Sequence, residues 1–222
     1  MVFPMVVLFV LGATQGIIGW IMVKSGLLPQ KFNVGHVELT THLIAAIILL
    51  AYTLWLALSL LPGMQQKAVG NQLRWMVLGI MVLLFFQLMY GGFMAGLKAA
   101  AAAPTWPNIQ GSLMPAGITE LSPMVDNFVN NKLMVHFMHR GLAYLLFITG
   151  LIFYIKTLQI KPGKRYVNFA HVFMLILSLQ VVLGIITVMH GAHPKALVFY
   201  GVAHQFTAML LVISITCLAY LS

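Results

Sequence analysis

Six apolar runs, each near the length of a bilayer crossing, dominate this chain: roughly 4–23, 38–61, 75–97, 133–155, 167–189 and 197–221. A helix rises about 1.5 Å per residue, so about 20 apolar residues cross roughly 30 Å of hydrocarbon. Lipid-buried backbone must pair its own N–H and C=O groups, which restricts spanning segments to helices and closed barrels. The runs show none of the ten-residue alternation of barrel strands. The expected fold class is an all-α integral membrane protein with six transmembrane helices.

Composition excludes the alternatives. The chain is 61% hydrophobic and 7% charged, with a mean hydropathy of +0.99. A soluble domain sits near 45–50% and about 25%. The net charge of +9 does not signal nucleic acid, because the bases are scattered between apolar runs and form no patch. Cys217 is the one cysteine, so no intrachain disulfide can form. Met1 runs straight into apolar sequence without a basic region, which argues against a cleaved signal peptide.

Loop charge sets the expected orientation. Lys67, Arg74, Lys156, Lys161, Lys164 and Arg165 lie on one side with no acid. Lys24, Lys31, Lys98, Lys132 and Lys195 lie on the other, with Glu38, Glu120 and Asp126. The first side is expected to be cytoplasmic, and an even number of spans then puts both termini there. The connection at 98–132 is the one long loop. It runs through an alanine tract and Pro104-Thr105-Trp106-Pro107 on the outer side, either as a functional element or as a solvated connector.

A weak internal repeat runs through the spans. Gln15-x-x-x-Gly19 and Gln180-x-x-x-Gly184 are each followed by a span with a histidine near its outer end, His42 and His204. Gln87-x-x-x-Gly91 is similar. Helix packing through a small residue would account for any one of them; the ordered recurrence with a trailing histidine is less common.

Ionisable residues inside a bilayer are costly and are functional candidates by default. His42, His139 and His204 fall inside spans at one expected depth near the outer face. Two imidazoles on facing helices at matched height suit axial ligation of a flat macrocycle. Arg140 follows His139. Its guanidinium either grips a carboxylate such as a haem propionate or snorkels to the outer interface. His136 shares the face of His139 and either lines the site or caps the span. His171 lies at the wrong depth and reads as structural. His36, His190 and His193 lie in outer loops, in no strong metal pattern. Only three acids exist, none well inside a span, so paired-carboxylate catalysis has no material. No phosphate loop, zincin motif or C-x-x-C occurs. A methionine axial ligand stays open.

Several segments carry a family resemblance. Gln15-Gly16-x-x-Gly19-Trp20-x-Met22-Val23-Lys24-Ser25-Gly26-Leu27 with Thr41-His42-Leu43 resembles the third and fourth spans of the heme A synthase family of cytochrome oxidase assembly proteins. Gly91-Gly92-Phe93-Met94-Ala95-Gly96-Leu97-Lys98-Ala99 and Thr105-Trp106-Pro107 resemble its fifth span and the following loop. Phe137-Met138-His139-Arg140-Gly141-Leu142-Ala143-Tyr144 is similar to its sixth. Gln180-x-x-Leu183-Gly184-Ile185-x-Thr187 and Ala203-His204-Gln205 are similar to its last two.

The resemblance implies a multi-pass enzyme, in a bacterial plasma membrane, that oxidises a methyl group of heme O to the formyl group of heme A. It implies eight spans in two four-helix halves. His139 and His204 would then ligate a b-type haem (heme b), Arg140 would bind the same cofactor, and His42 would be half of a substrate site for heme O. Residues 1–62 would be the second half of the N-terminal bundle, 63–74 a cytoplasmic linker and 75–222 the C-terminal haem-binding bundle. The family's first two spans, with their Glu-x-x-His-Arg motif, have no counterpart, so an incomplete sequence or a reduced member is expected, with an open apolar flank beside His42. Pro104 also stands where the family has Asn, and its loop cysteine pair is missing.

Three functions stay open: heme A synthase, a haem-binding electron-transfer cytochrome, and a transporter or assembly subunit with structural histidines. Expected partners are membrane lipid and haem, with heme O synthase and terminal oxidase assembly factors as candidates. No nucleic acid is expected, and an oligomer stays open.

Overall fold

The structure is a computed structural model and describes residues 2–27, 33–64 and 69–222. Lys31 and Lys67 of the charge balance, and residues 65–68 of the expected linker, lie outside the described residues. Six long helices form: α1 (Val2–Ser25), α2 (His36–Leu60), α3 (Asn71–Gly96), α4 (Lys132–Ile160), α5 (Lys164–Met189) and α6 (Pro194–Tyr220). All six are long and apolar enough to cross a membrane, so this is a multi-pass, all-α membrane protein. The described residues contain no strand, only an isolated bridge between Ile109 and Ser112.

Most of the helices outrun the apolar stretches that announce them. Apolar length reports bilayer thickness, whereas a helix continues until its end groups find other partners. Asn131 caps α4, its side-chain oxygen accepting from the Leu133 and Met134 amides at 2.9 and 3.3 Å. The same helix ends five residues past the apolar run. There Lys161 turns left-handed (φ 51°), donates its amide to Thr157 O, and hands the chain to Pro162. Pro194 opens α6, where a missing N–H costs nothing.

Helix α3 packs on α4, α4 on α5, α5 on α6 and α6 back on α3, closing a four-helix ring. Helix α2 lies against α3 and α6, and α1 lies against α2. The ring's core comes from one half of each helix: Leu73, Val77 and Ile80, then Phe153, then Phe173 and Leu177, then Leu211, Ile215 and Leu218. The other half of the ring holds His139 and His204. Outward residues such as Val82, Ile148, Leu175 and Val202 are apolar and exposed, as a lipid-facing surface requires. No residue of α1 is buried, and Ile17, Trp20 and Ile21 beside Gly19 are exposed.

Helices α2 and α3 approach closely through Gly92-x-x-x-Gly96. A Cβ at Gly92 would lie 2.6 Å from Thr40 Oγ1, and one at Gly96 would lie 2.5 Å from His36 Cβ. Residues four apart share a helix face, so two glycines one turn apart form a flat seat for two α2 side chains.

The 98–132 connection is packed, not a solvated strand of chain. It contains a helical turn at Ala99–Ala102, a 3-10 turn at Met124–Asp126 and a helical turn at Asn127–Asn130. Ala99, Ala103, Ile109 and Asn127 are buried. Asn127 bonds both the amide and the carbonyl of Leu121, and Asn131 Nδ2 donates to Gly117 O at 2.7 Å.

Steric crowding should therefore be specific to the α2–α3 seat. Gly92→Ala and Gly96→Ala are each expected to cost about 1–3 kcal/mol by overpacking. Gly12→Ala and Gly79→Ala, which meet nothing within 4 Å, should be neutral or slightly stabilising. Thermal unfolding of the four variants in detergent checks this, and equal losses across all four would refute the seat.

Candidate functional site

Three helix pairs present the same arrangement of glutamine, glycine and histidine. On α1, Gln15 Nε2 lies 3.2 and 3.4 Å from the two ring nitrogens of His42 on α2, and it also donates to His42 O at 3.2 Å. On α3, Gln87 Nε2 lies 3.3 Å from both ring nitrogens of His139 on α4. On α5, Gln180 Nε2 lies 3.2 Å from Nε2 of His204 on α6. The glycine one turn on faces the same ring each time. A Cβ at Gly19, Gly91 or Gly184 would meet the histidine Cε1 at 2.9, 3.5 or 3.1 Å. The sequence repeat is thus a spatial unit, with the ring lodged between a side-chain amide and bare helix backbone.

His139 and His204 come together across the ring of helices. Their centroids are 6.5 Å apart and their planes 77° apart. An imidazole nitrogen sits about 1.1 Å from its ring centroid and metal–imidazole bonds are about 2.0–2.1 Å. Two rings on one metal axis therefore have centroids about 6.3 Å apart, so the observed spacing fits a single metal between them. The Nδ1 atom of His204 is buried and has no partner. His42 is not part of this pair; its partners are Gln15 and Gly19. No cluster of three or more His, Cys, Asp or Glu able to hold a bare metal ion occurs among the described residues. The two histidines alone do not make a bare-metal site.

Arg140 is buried and its guanidinium is spent on His136 and the 98–132 connection. Nε donates to His136 Nε2 at 3.0 Å, Nη1 to Asn108 O at 2.9 Å and Pro107 O at 3.4 Å, and Nη2 to Thr105 O. Neither Glu120 nor Asp126 is a partner. The side chain does not snorkel outward; the Thr-Trp-Pro segment folds over it. The charge is solvated by carbonyl dipoles with no carboxylate against it, and one of its five N–H groups stays uncommitted.

The remaining histidines divide clearly. His136 is fully buried and its Nε2 accepts from Arg140 Nε. His171 is exposed and bonds the Tyr154 hydroxyl at 2.8 Å, far from the pair. His190 bonds Ile186 O one turn back and packs on Tyr200. His36 packs edge-on against Phe93, and His193 precedes α6. Sequence reasoning found the histidines but not the partners of Arg140, since three of them are backbone carbonyls that no side chain announces.

Residues 1–216 match the model of the family described as cytochrome oxidase assembly protein. The chain is 34% identical over 203 residues to a heme A synthase of Methylobacterium nodulans, covering 90% of this chain and 55% of that protein. It is 38% identical over 205 residues to a heme A synthase of Rhodopseudomonas palustris (strain TIE-1), covering 91% and 54%. It is 34% identical over 224 residues to one from Novosphingobium aromaticivorans, covering 98% and 61%. The chain spans about half the length of these curated relatives.

Removing the guanidinium should loosen the loop before it disturbs the helices. Arg140→Leu leaves His136 and three carbonyls without their donor, a loss of about 3 kcal/mol or more, since each bond to a charged group is worth about 1.5–3 kcal/mol. Hydrogen exchange in detergent should quicken at the Ile109, Gln110 and Gly111 amides, which bond within this loop. Unchanged protection there would show that Arg140 does not hold the loop.

Proposed function

The chain belongs to the cytochrome oxidase assembly protein family, and from that membership we propose that it is a heme A synthase-like oxidoreductase. Its reaction would convert heme O to heme A, oxidising a methyl group to a formyl group. The observation that carries the reading is the 6.5 Å approach of His139 to His204.

In this reading His139 and His204 would hold a b-type haem through its iron. Such a group supplies a redox-active iron. The protein supplies the rest. Two imidazoles on facing helices would hold that group between α4 and α6. The glycines at 91 and 184 let the rings sit back against α3 and α5. Arg140, a buried cation with no carboxylate partner and one free N–H, provides the positive charge that a propionate seeks. The Thr105–Asn108 segment it holds shields that end from water. His42 with Gln15 and Gly19 forms a unit of the same build and is proposed as half of the heme O site. Residues 75–222 are proposed as the C-terminal haem bundle, 1–62 as two spans of the N-terminal one, and 63–74 as a cytoplasmic linker. A bacterial plasma membrane with both termini cytoplasmic fits the loop charges and the bacterial relatives. Heme O synthase and oxidase assembly factors are proposed partners.

A second reading has support of its own. One histidine pair is assembled among the described residues, which is all that an electron-transfer cytochrome needs. The two readings differ in product, so pigment extracted after co-expression with a heme O source separates them. Heme A supports the synthase; heme b alone, with a full Soret band, supports the cytochrome.

The ligand assignment has its own test. The purified chain should carry a six-coordinate, low-spin haem spectrum. His139→Ala and His204→Ala should each abolish it, and His42→Ala should retain it. A low-spin spectrum that survives both substitutions in the pair would refute the assignment.

A further inference from the structure

Packing alone does not explain the three glutamines. Each lies inside a membrane span, and in each the amide oxygen, Oε1 of Gln15, Gln87 and Gln180, is buried without a hydrogen-bond partner. An unpaired buried acceptor costs about 1–3 kcal/mol. A leucine would fill the same space without that penalty. The same orphaned atom, beside the same ring, on three separate helices points to a requirement of the histidine.

That requirement follows from imidazole chemistry. A neutral imidazole that ligates a metal gives it one nitrogen lone pair, and the other nitrogen keeps its proton. The ring is held in that tautomer by an acceptor for the proton. Among the described residues, the glutamine amide is the one side chain within hydrogen-bond reach of each ring nitrogen set. In the Gln15 and Gln87 units the amide nitrogen is nearly equidistant from both ring nitrogens. It is within reach of whichever ring nitrogen carries the proton. In the third unit Gln180 meets Nε2 and leaves Nδ1 free. The two ends of an amide are close to the same size, so a half-turn about its last bond presents oxygen to the ring in place of nitrogen. The glycine one turn along, by lacking a Cβ, lets the ring edge rest against the helix and fixes its tilt.

We propose that Gln87 and Gln180 are positioning residues that accept the ring N–H of their histidine and so hold its other nitrogen ready for haem iron. This rests on the haem reading above. It adds that the glutamines set the electron density of the iron, because a stronger acceptor on the ligand N–H makes the imidazole a stronger donor.

The test uses the haem-loaded chain with Gln87→Leu, Gln87→Glu, Gln180→Leu and Gln180→Glu, and exposed Gln72→Leu as the control. The readouts are haem dissociation and the reduction potential of the low-spin haem. The leucine variants should hold haem about 10–100-fold more weakly, the usual loss for an outer partner of a metal ligand, and should shift the potential upward. The glutamate variants should shift it downward. A purely structural role would move both substitutions in the same direction or neither. Potentials that match the control, or that shift with one sign for Leu and Glu, overturn the proposal while a His139→Ala loss of haem leaves the haem reading intact. A wild-type chain with no Soret band overturns both.

Discussion

Polar groups placed inside a bilayer have no water to turn to, and the whole structure follows from where they find partners instead. Backbone groups pair within six helices. Hydroxyls fold back onto their own helix: Thr53, Thr149, Thr157 and Thr207 each donate to the carbonyl four residues earlier. The larger polar side chains cannot do this and must reach a neighbour. Their contacts, Gln15 with His42, Gln87 with His139 and Gln180 with His204, run between consecutive spans of this chain and bring the imidazoles to defined places. Apolar packing fills the half of the ring that contains none of these groups.

Spans were legible because a bilayer imposes a length on apolar sequence, and all six runs became helices. Their ends were less legible, since Asn131, Lys161 and Pro194 terminate helices by hydrogen bonding and backbone conformation, not by hydropathy. Nothing in the apolar pattern says that α6 returns to α3, because lipid-facing and protein-facing positions are equally apolar. Gly92 and Gly96 mark the α2–α3 contact, yet other glycines, such as Gly12 and Gly79, face open space.

The site was legible in its histidines and half-legible in its repeat. Matched depth grouped His42, His139 and His204, and only the family resemblance paired the last two, whose rings lie 6.5 Å apart and edge-on. The glutamines stood in the sequence at the right spacing, but only geometry shows that the third copy, Gln87, belongs to His139, which lies beyond the long loop. Arg140 was read as a residue seeking an anion or the interface. Its partners proved to be His136 and the carbonyls of the loop, a choice invisible to a reading that tracks side chains.

Closure of the four-helix ring by its last member also has a consequence in time. A membrane chain is delivered from its N-terminus at about 5–20 residues per second, and α6 is the final span of the six. His139 enters the bilayer while its partner histidine is still unmade. Until α6 packs between α5 and α3, the chain has one imidazole of the pair and an open seam. The ring and the facing histidines are completed in the same event, so a chain halted before its last helix has neither.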